Sequence, residues 1–310
     1  MKRGCVIGYD INEKGCQISY YDDSMEEPDT MMASSNNYLI PLVLGYFKDR
    51  WVFGKEAKRL AVVGEDCTET DLYGKAKRRE KVSLAGKTYD AVWLLAKYIS
   101  LTLQDFENIQ YLTFTTPETD VDMAKMLKGI GQHIGVDKEI INVQDYKESF
   151  CQYMIFQPKE LWQYESALFY CDEDRIKAYM LRRLRVDASH GMNSFVTVDE
   201  VANAQRKELE ALYPIMNKEK SPDESFKSMI ENVFEKKVVS SVYLTGEGFE
   251  KNWYPNSLRV LCNGRRAFMG NNLYSKGACY KSIRKCEPND DGPIYLDETK
   301  LTERICLRMR

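Results

Sequence analysis

Short β-branched runs bounded by turn residues alternate along this chain with apolar stripes of helical period, and that alternation predicts an α/β fold with mixed sheets. Cys5 to Tyr9 and Cys16 to Tyr20 read as two strands around a bend that runs from Asp10 to Gly15. Tyr38 to Phe47 and Lys48 to Ala57 add two strands joined by a Lys-Asp turn, followed by a short helix. Tyr89 to Phe106 reads as an amphipathic helix with Val92, Leu95, Ala96, Ile99, Leu103 and Phe106 on one face. Ile109 to Thr116 predicts a strand stopped by Pro117, and Thr119-x-x-Asp122 caps a helix that turns Met123, Met126, Leu127, Ile130 and Ile134 inward.

Ala167 to Leu181 predicts a second hairpin, bent at Asp172-Glu173-Asp174, that echoes the first. Thr197-x-x-Glu200 and Ser221-Pro222-Asp223-Glu224 read as capping boxes that open helices of roughly 20 and 15 residues. Val242 to Thr245 is an apolar run that stops at Gly246-Glu247-Gly248 and enters the helix-compatible stretch Glu250 to Trp253. Downstream, Gly277-Ala278 begins a helix packed closely under that same turn. Ile294 to Leu296 and Arg304 to Leu307 read as closing strands, either a sheet edge or a sign that chain follows Arg310.

Composition narrows the function classes. The 310 residues are 44% hydrophobic and 29% charged, enough to bury a sizeable core in two domains. Forty-four Lys and Arg against 47 Asp and Glu leave a net charge of −3, which argues against a general nucleic-acid surface. The basic stretch Lys75 to Lys81 reads as a solvated helix face. Nine cysteines without a C-x-x-C spacing suit reduced thiols, and two histidines, His133 and His190, are too few for a usual zinc site. His133 reads as a packed or capping residue. The longest apolar run contains Pro41 and falls short of the about 20 residues a membrane span needs, so a cytoplasmic protein without a membrane partner is expected. Nothing in the chain calls for haem or flavin.

Candidate chemistry gathers at the two bends and the glycine turn. Asp10 at a hairpin bend can hold a hydrated magnesium ion, while backbone amides and Lys14 can meet phosphate oxygens; an ordinary Asp/Asn turn is the competing explanation. At Gly246 and Gly248 the missing Cβ lets a flat ligand approach the main chain, although such turns also occur with no ligand.

The order strand, Pro41, strand, charged turn and Trp51-Val52-Phe53-Gly54-Lys55-Glu56-Ala57-Lys58-Arg59 resembles the ATPase domain of the heat-shock chaperones, within the actin, sugar-kinase and chaperone superfamily, or a bacterial family sharing that fold. The resemblance implies a two-lobed actin-like (ribonuclease-H-like) ATPase fold with duplicated mixed-sheet lobes around a central cleft. Lobe I would cover residues 1–160, with an insertion at about 34–88, and lobe II residues 161–310, its C-terminal part returning toward lobe I. It further implies a catalytic lysine at Lys77, and a crossover helix at Asp145 to Tyr153 whose first acid lies near magnesium. Phosphate contacts fall on Asn12, Lys14 and Gly15, an adenosine site on Thr245, Gly246, Glu247, Gly248 and Gly277, and magnesium on Asp10, Asp145 and Asp172.

The chain departs from that pattern in two of the three motifs, the first and second bends, while the adenosine turn is preserved: the first bend keeps Asp10 and Gly15 but has Asn12-Glu13-Lys14 where the chaperones have glycine and threonines. Tyr146, Lys147, Glu148 and Phe150 are bulky or charged where the crossover helix is small, and the second bend offers three carboxylates and no glycine, which repel a triphosphate. The expected function is therefore an interaction module that binds a protein partner with or without ATP or ADP. The alternatives are a magnesium-dependent ATPase with divergent loops and, more remotely, a small-molecule kinase.

Overall fold

The computed structural model describes residues 4–35, 37–63, 67–184, 194–205, 221–287 and 292–297. In chain order the elements are β1 (Cys5–Ile11), β2 (Gly15–Tyr21), β3 (Asp29–Thr30), β4 (Ile40–Pro41), β5 (Leu44–Phe47), β6 (Arg50–Phe53), α1 (Gly54–Val63), β7 (Thr68–Glu69), α2 (Leu72–Lys77), β8 (Lys81–Leu84), β9 (Lys87–Asp90), α3 (Ala91–Thr102), β10 (Ile109–Thr116), α4 (Val121–His133), β11 (Ile141–Asp145) and α5 (Tyr146–Ile155). There follow β12 (Glu165–Cys171), β13 (Arg175–Leu184), β14 (Phe195–Gln205), α6 (Pro222–Phe234), β15 (Val239–Thr245), α7 (Pro255–Cys262), β16 (Arg266–Met269), α8 (Leu273–Cys286) and β17 (Ile294–Tyr295). The chain is a mixed α/β protein with mixed sheets, and it divides into unit 1, residues 1–153 with 272–290, and unit 2, residues 154–271 with 291–310. Among the described residues no helix is long and apolar enough to cross a membrane.

Unit 1 is built on a sheet of order β11-β10-β1-β2-β3, with β4 also on β2. Its core combines Ile7, Tyr9 and Ile11 of β1 with Leu94, Leu95 and Ile99 of α3 and Leu127 of α4, all withdrawn from water. The Lys-Asp turn between β5 and β6 holds Lys48 and Asp49 at φ 48° and 60°, the left-handed pair of a two-residue hairpin loop. The basic stretch at α2 is not a bare cationic face: Lys75 Nζ lies 2.9 Å from Glu69 Oε2 and Arg78 bridges Asp71 and Glu80.

Unit 2 repeats the topology of unit 1. Its sheet runs β16-β15-β12-β13-β14-β17; β12 pairs β15 in parallel and β13 antiparallel, as β1 pairs β10 and β2. Each leading strand carries a register shift after its first residue, between Cys5 and Val6 and between Glu165 and Ser166. The two hairpin bends close alike, with Asn12 N donating to Gly15 O at 3.0 Å and Asp172 N to Arg175 O at 3.1 Å. Asn12 and Asp172 are thus counterparts. Asp10, opposite Thr115, corresponds to Tyr170, opposite Thr245.

Several local expectations need correction. Thr197-x-x-Glu200 does not cap a helix but lies in β14, where Val196 and Val198 alternate inward and β-branched side chains favour the strand. The cap of α4 is Asp120, whose Oδ1 accepts from Met123 N at 2.7 Å, whereas Thr119 turns its hydroxyl to Gln144 O. The helix expected at 89–106 is shorter: Asp90 caps α3, and Lys87 to Asp90 belong to β9. Glu250 to Trp253 is not helical; a single 3-10 turn at Glu247–Phe249 is followed by loop, and the helix starts at Pro255. Gly277-Ala278 sits within α8 rather than at its start. Arg304 to Leu307, His190 and Cys306 lie outside the described residues.

The box at Ser221 is present, with Ser221 Oγ accepting from Glu224 N at 3.2 Å. The next acid in it does long-range work: the buried Asp223 carboxylate accepts from Asn256 N (2.8 Å), Ser257 N (2.8 Å) and Ser257 Oγ (2.7 Å), capping α7. Burial pushes this carboxyl up, but the bonds from Ser257 and Asn256 outweigh it and hold it below its usual 3.8. Asp223→Ala is expected to cost about 2–3 kcal/mol of unit 2 stability in urea denaturation. Because the folded carboxyl is depressed, that contribution is present above the ordinary carboxylate range and fades as pH falls below it. A loss under about 0.5 kcal/mol at pH 7 would remove Asp223 from this role.

Candidate functional site

In unit 1, β1, β10 and β11 run parallel and bring Asp10, Thr115, Thr116 and Asp145 to their carboxyl ends, with Asp10 opposite Thr115 and Thr116 opposite Asp145. Ligand sites of parallel sheets form at such ends. Asp10 is 4% exposed, and among the described residues no Lys or Arg forms an ion pair with it. Its Oδ1 accepts from the Tyr146 hydroxyl at 2.8 Å, and that hydroxyl in turn accepts from Asn12 Nδ2 at 3.0 Å. Burial raises the Asp10 carboxyl from 3.8 to about 7, against the opposing hydrogen bond from Tyr146.

Tyr146 is held there from several sides. Asp145 Oδ1 accepts from Glu148 N at 2.8 Å, which starts α5 so that Tyr146 is its first residue. The Tyr146 ring stacks on Tyr274 of α8 with centroids 3.7 Å apart and planes 6° from parallel. One turn on, Ser149 Oγ meets Thr115 Oγ1 at 2.6 Å and Gln144 Nε2 at 2.7 Å. A Cβ on Gly277 would stand 2.0 Å from Ser149 O, so α8 and α5 approach backbone to backbone. Below them, the Tyr73 hydroxyl meets Thr116 Oγ1 at 2.5 Å.

Other predicted residues are spread around this point or committed elsewhere. The Lys14 and Gly15 amides, expected to meet phosphate, donate to Asn12 Oδ1 at 2.9 and 3.3 Å. The Lys14 and Lys77 side chains are exposed, Lys77 at the end of α2. In unit 2, Asp172 Oδ1 accepts from Asp174 N and Arg175 N, both at 2.8 Å, so the acid builds its own turn. Thr245 is buried, Glu247 exposed. Gly246 adopts φ 98°, and a Cβ there would stand 2.2 Å from Cys171 O; one on Gly248 would stand 2.3 Å from Cys171 Sγ. The absent side chains at this turn make room for the end of β12.

As arranged, these groups do not fit a magnesium triphosphate. Asp10 is closed over by a phenol, Asp145 and Asp172 each accept from backbone amides, and the hairpin amides turn inward to Asn12. Among the described residues no cluster of three or more His, Cys, Asp or Glu is arranged to hold a metal ion. The residues that close the site, Tyr146 and Tyr274, were not among the predicted site residues. Tyr146 carried one signal, a bulky residue at the start of a helix expected to be small there; Tyr274, reached across 128 positions of sequence, carried none.

Fold and site together define a mixed α/β protein of two topologically matched sheets, with a buried acid stoppered by tyrosines at the end of the first. The chain belongs to the family of unknown function DUF5716, whose C-terminal profile matches residues 27–298. No curated protein matches it.

Proposed function

We propose that the chain is an interaction module on a chaperone-ATPase-like, actin-like fold whose nucleotide chemistry has been given up, and that it works by engaging a protein partner in the cytoplasm. The observation that carries this reading is the Tyr146 hydroxyl on Asp10, clamped by the Tyr274 ring. The repeated sheet order supports the duplicated fold, and the glycine-free second bend supports the loss of phosphate binding. A second reading, a magnesium-dependent ATPase with divergent loops, is favoured by the position of Asp10 at the carboxyl end of β1.

Calorimetric titration of nucleotide-stripped protein with ATP and ADP, with and without magnesium, followed by phosphate release on the same sample, separates the two. The expected result is no turnover above the buffer blank, and no change in any nucleotide heat on Asp10→Asn. Magnesium-dependent turnover that collapses in Asp10→Asn would overturn the proposal in favour of the enzyme.

A further inference from the structure

At the end of the unit 2 sheet away from Gly246, where β12 and β15 begin and β13 finishes, lies a cavity of about 660 Å³. Its walls come from the 3-10 turn at Lys159–Leu161, the segment after it, the last residues of β13 and the turn before β15. On a chain of net charge −3, this one cavity gathers Lys159, Arg182, Arg183, Lys236 and Lys237 against Glu160 and Glu165. Arg182 is matched to Glu165 (Nε to Oε1, 3.1 Å) and Asp199 (Nη1 to Oδ2, 3.5 Å), Lys236 Nζ lies 3.5 Å from Glu235 Oε1 and Lys237 Nζ donates to Val233 O at 2.6 Å, which leaves Lys159 and Arg183 to face Glu160. Among the described residues neither Lys159 nor Arg183 has a carboxylate partner.

Two further features point to a ligand rather than a solvated rim. Three large apolar side chains are left in water on the cavity walls: Tyr164 at 54% exposure, Leu184 at 41% and Val238 at 63%. Beside them the Arg183 guanidinium lies 5.6 Å from the ring centre of the buried Trp162. Arg182 Nε and Glu165 Oε2 are also buried with no hydrogen-bond partner among the described residues. Buried polar atoms of this kind are ordinarily satisfied.

We propose that this cavity binds an organic anion of more than one negative charge, phosphate-bearing, with an attached apolar or aromatic group. Lys159 and Arg183 receive the charge, with the Lys236-Lys237 turn beside them adding positive potential, and Tyr164, Leu184 and Val238 cover the apolar part.

The probe is 1-naphthyl phosphate, followed by fluorescence anisotropy, with neutral 1-naphthol and inorganic phosphate as comparisons. Wild-type protein is expected to bind it with Kd of order 0.1 mM, and to bind inorganic phosphate and 1-naphthol at least about tenfold more weakly. Arg183→Glu and Lys159→Glu, both at exposed positions, are each expected to weaken binding about tenfold or more. The charge-matched Lys87→Glu and the unit 1 variant Asp10→Asn should leave it unchanged, whatever the ATP titration shows. Sedimentation with phosphatidylserine vesicles identifies the source: co-sedimentation lost in both reversal variants marks a lipid headgroup, and its absence alongside naphthyl phosphate binding marks a soluble ligand. No binding at about 1 mM probe, or binding indifferent to both reversals in folded protein, overturns the proposal.

Discussion

Gly8→Ala is expected to cost about 3 kcal/mol or more, a large part of the stability of an ordinary domain. The added methyl would stand 2.1 Å from Ser275 O and 2.2 Å from Cys279 N, both backbone atoms of α8. No rotamer relieves contact with main chain, so the helix must lift off β1. Lifting it pulls at buried bonds that fasten the same helix, Ser275 Oγ to Ser19 Oγ at 2.8 Å and Ser282 Oγ to Ile7 O at 3.1 Å. Urea denaturation reads the loss directly, and a change below about 1 kcal/mol would show that α8 is not seated on Gly8 as described.

The second large effect is one of pH. A carboxyl raised from 3.8 to about 7 on folding costs nothing while it is protonated in both states, and destabilises the fold progressively as pH climbs through that interval. The full penalty on the alkaline side is about 4 kcal/mol. Asp10→Asn keeps the shape and cannot ionise, so its stability relative to wild type should rise by several kcal/mol between about pH 4.5 and 8. Groups common to both proteins, Asp223 among them, cancel in that difference. A difference that stays constant across the range would mean that Asp10 is solvated or neutralised by a group other than Tyr146.

Local patterns in the sequence located the strands of both hairpins, the strand at β10, the Ser221 cap and the turn at Gly246, because each is decided by residues within a few positions of one another. They misplaced elements where two local signals compete. Thr197 and Glu200 have the spacing of a capping box, yet Phe195, Val196 and Val198 place them in a strand, and the alternation of burial outweighs a two-residue motif. Thr119 and Asp120 both qualify as a cap, and only the geometry of the entering strand selects Asp120. The site was legible only as a set of residue types. Asp10 stood out at its bend, but that its partner is a tyrosine 136 positions away, braced by another on α8, depends on tertiary pairing that no window of sequence contains. The same holds for Asp223, whose capped helix begins 32 residues later.

Unit 1 is interrupted: residues 154–271 of unit 2 lie between its first part and the helix that covers β1 and β10. On a ribosome, β1 is therefore made long before its covering helix emerges, and its glycine groove waits while the whole of the intervening segment is synthesised. Closing so long a loop carries an entropic cost before any contact repays it, which makes α8 docking a late step in assembly. Unit 2's first sheet strands, by contrast, complete their parallel pairing within about 80 residues of chain. The amino-terminal sheet, first to be made, is thus covered only after most of unit 2 has been synthesised, with β17 of the unit 2 sheet alone following the covering helix among the described elements.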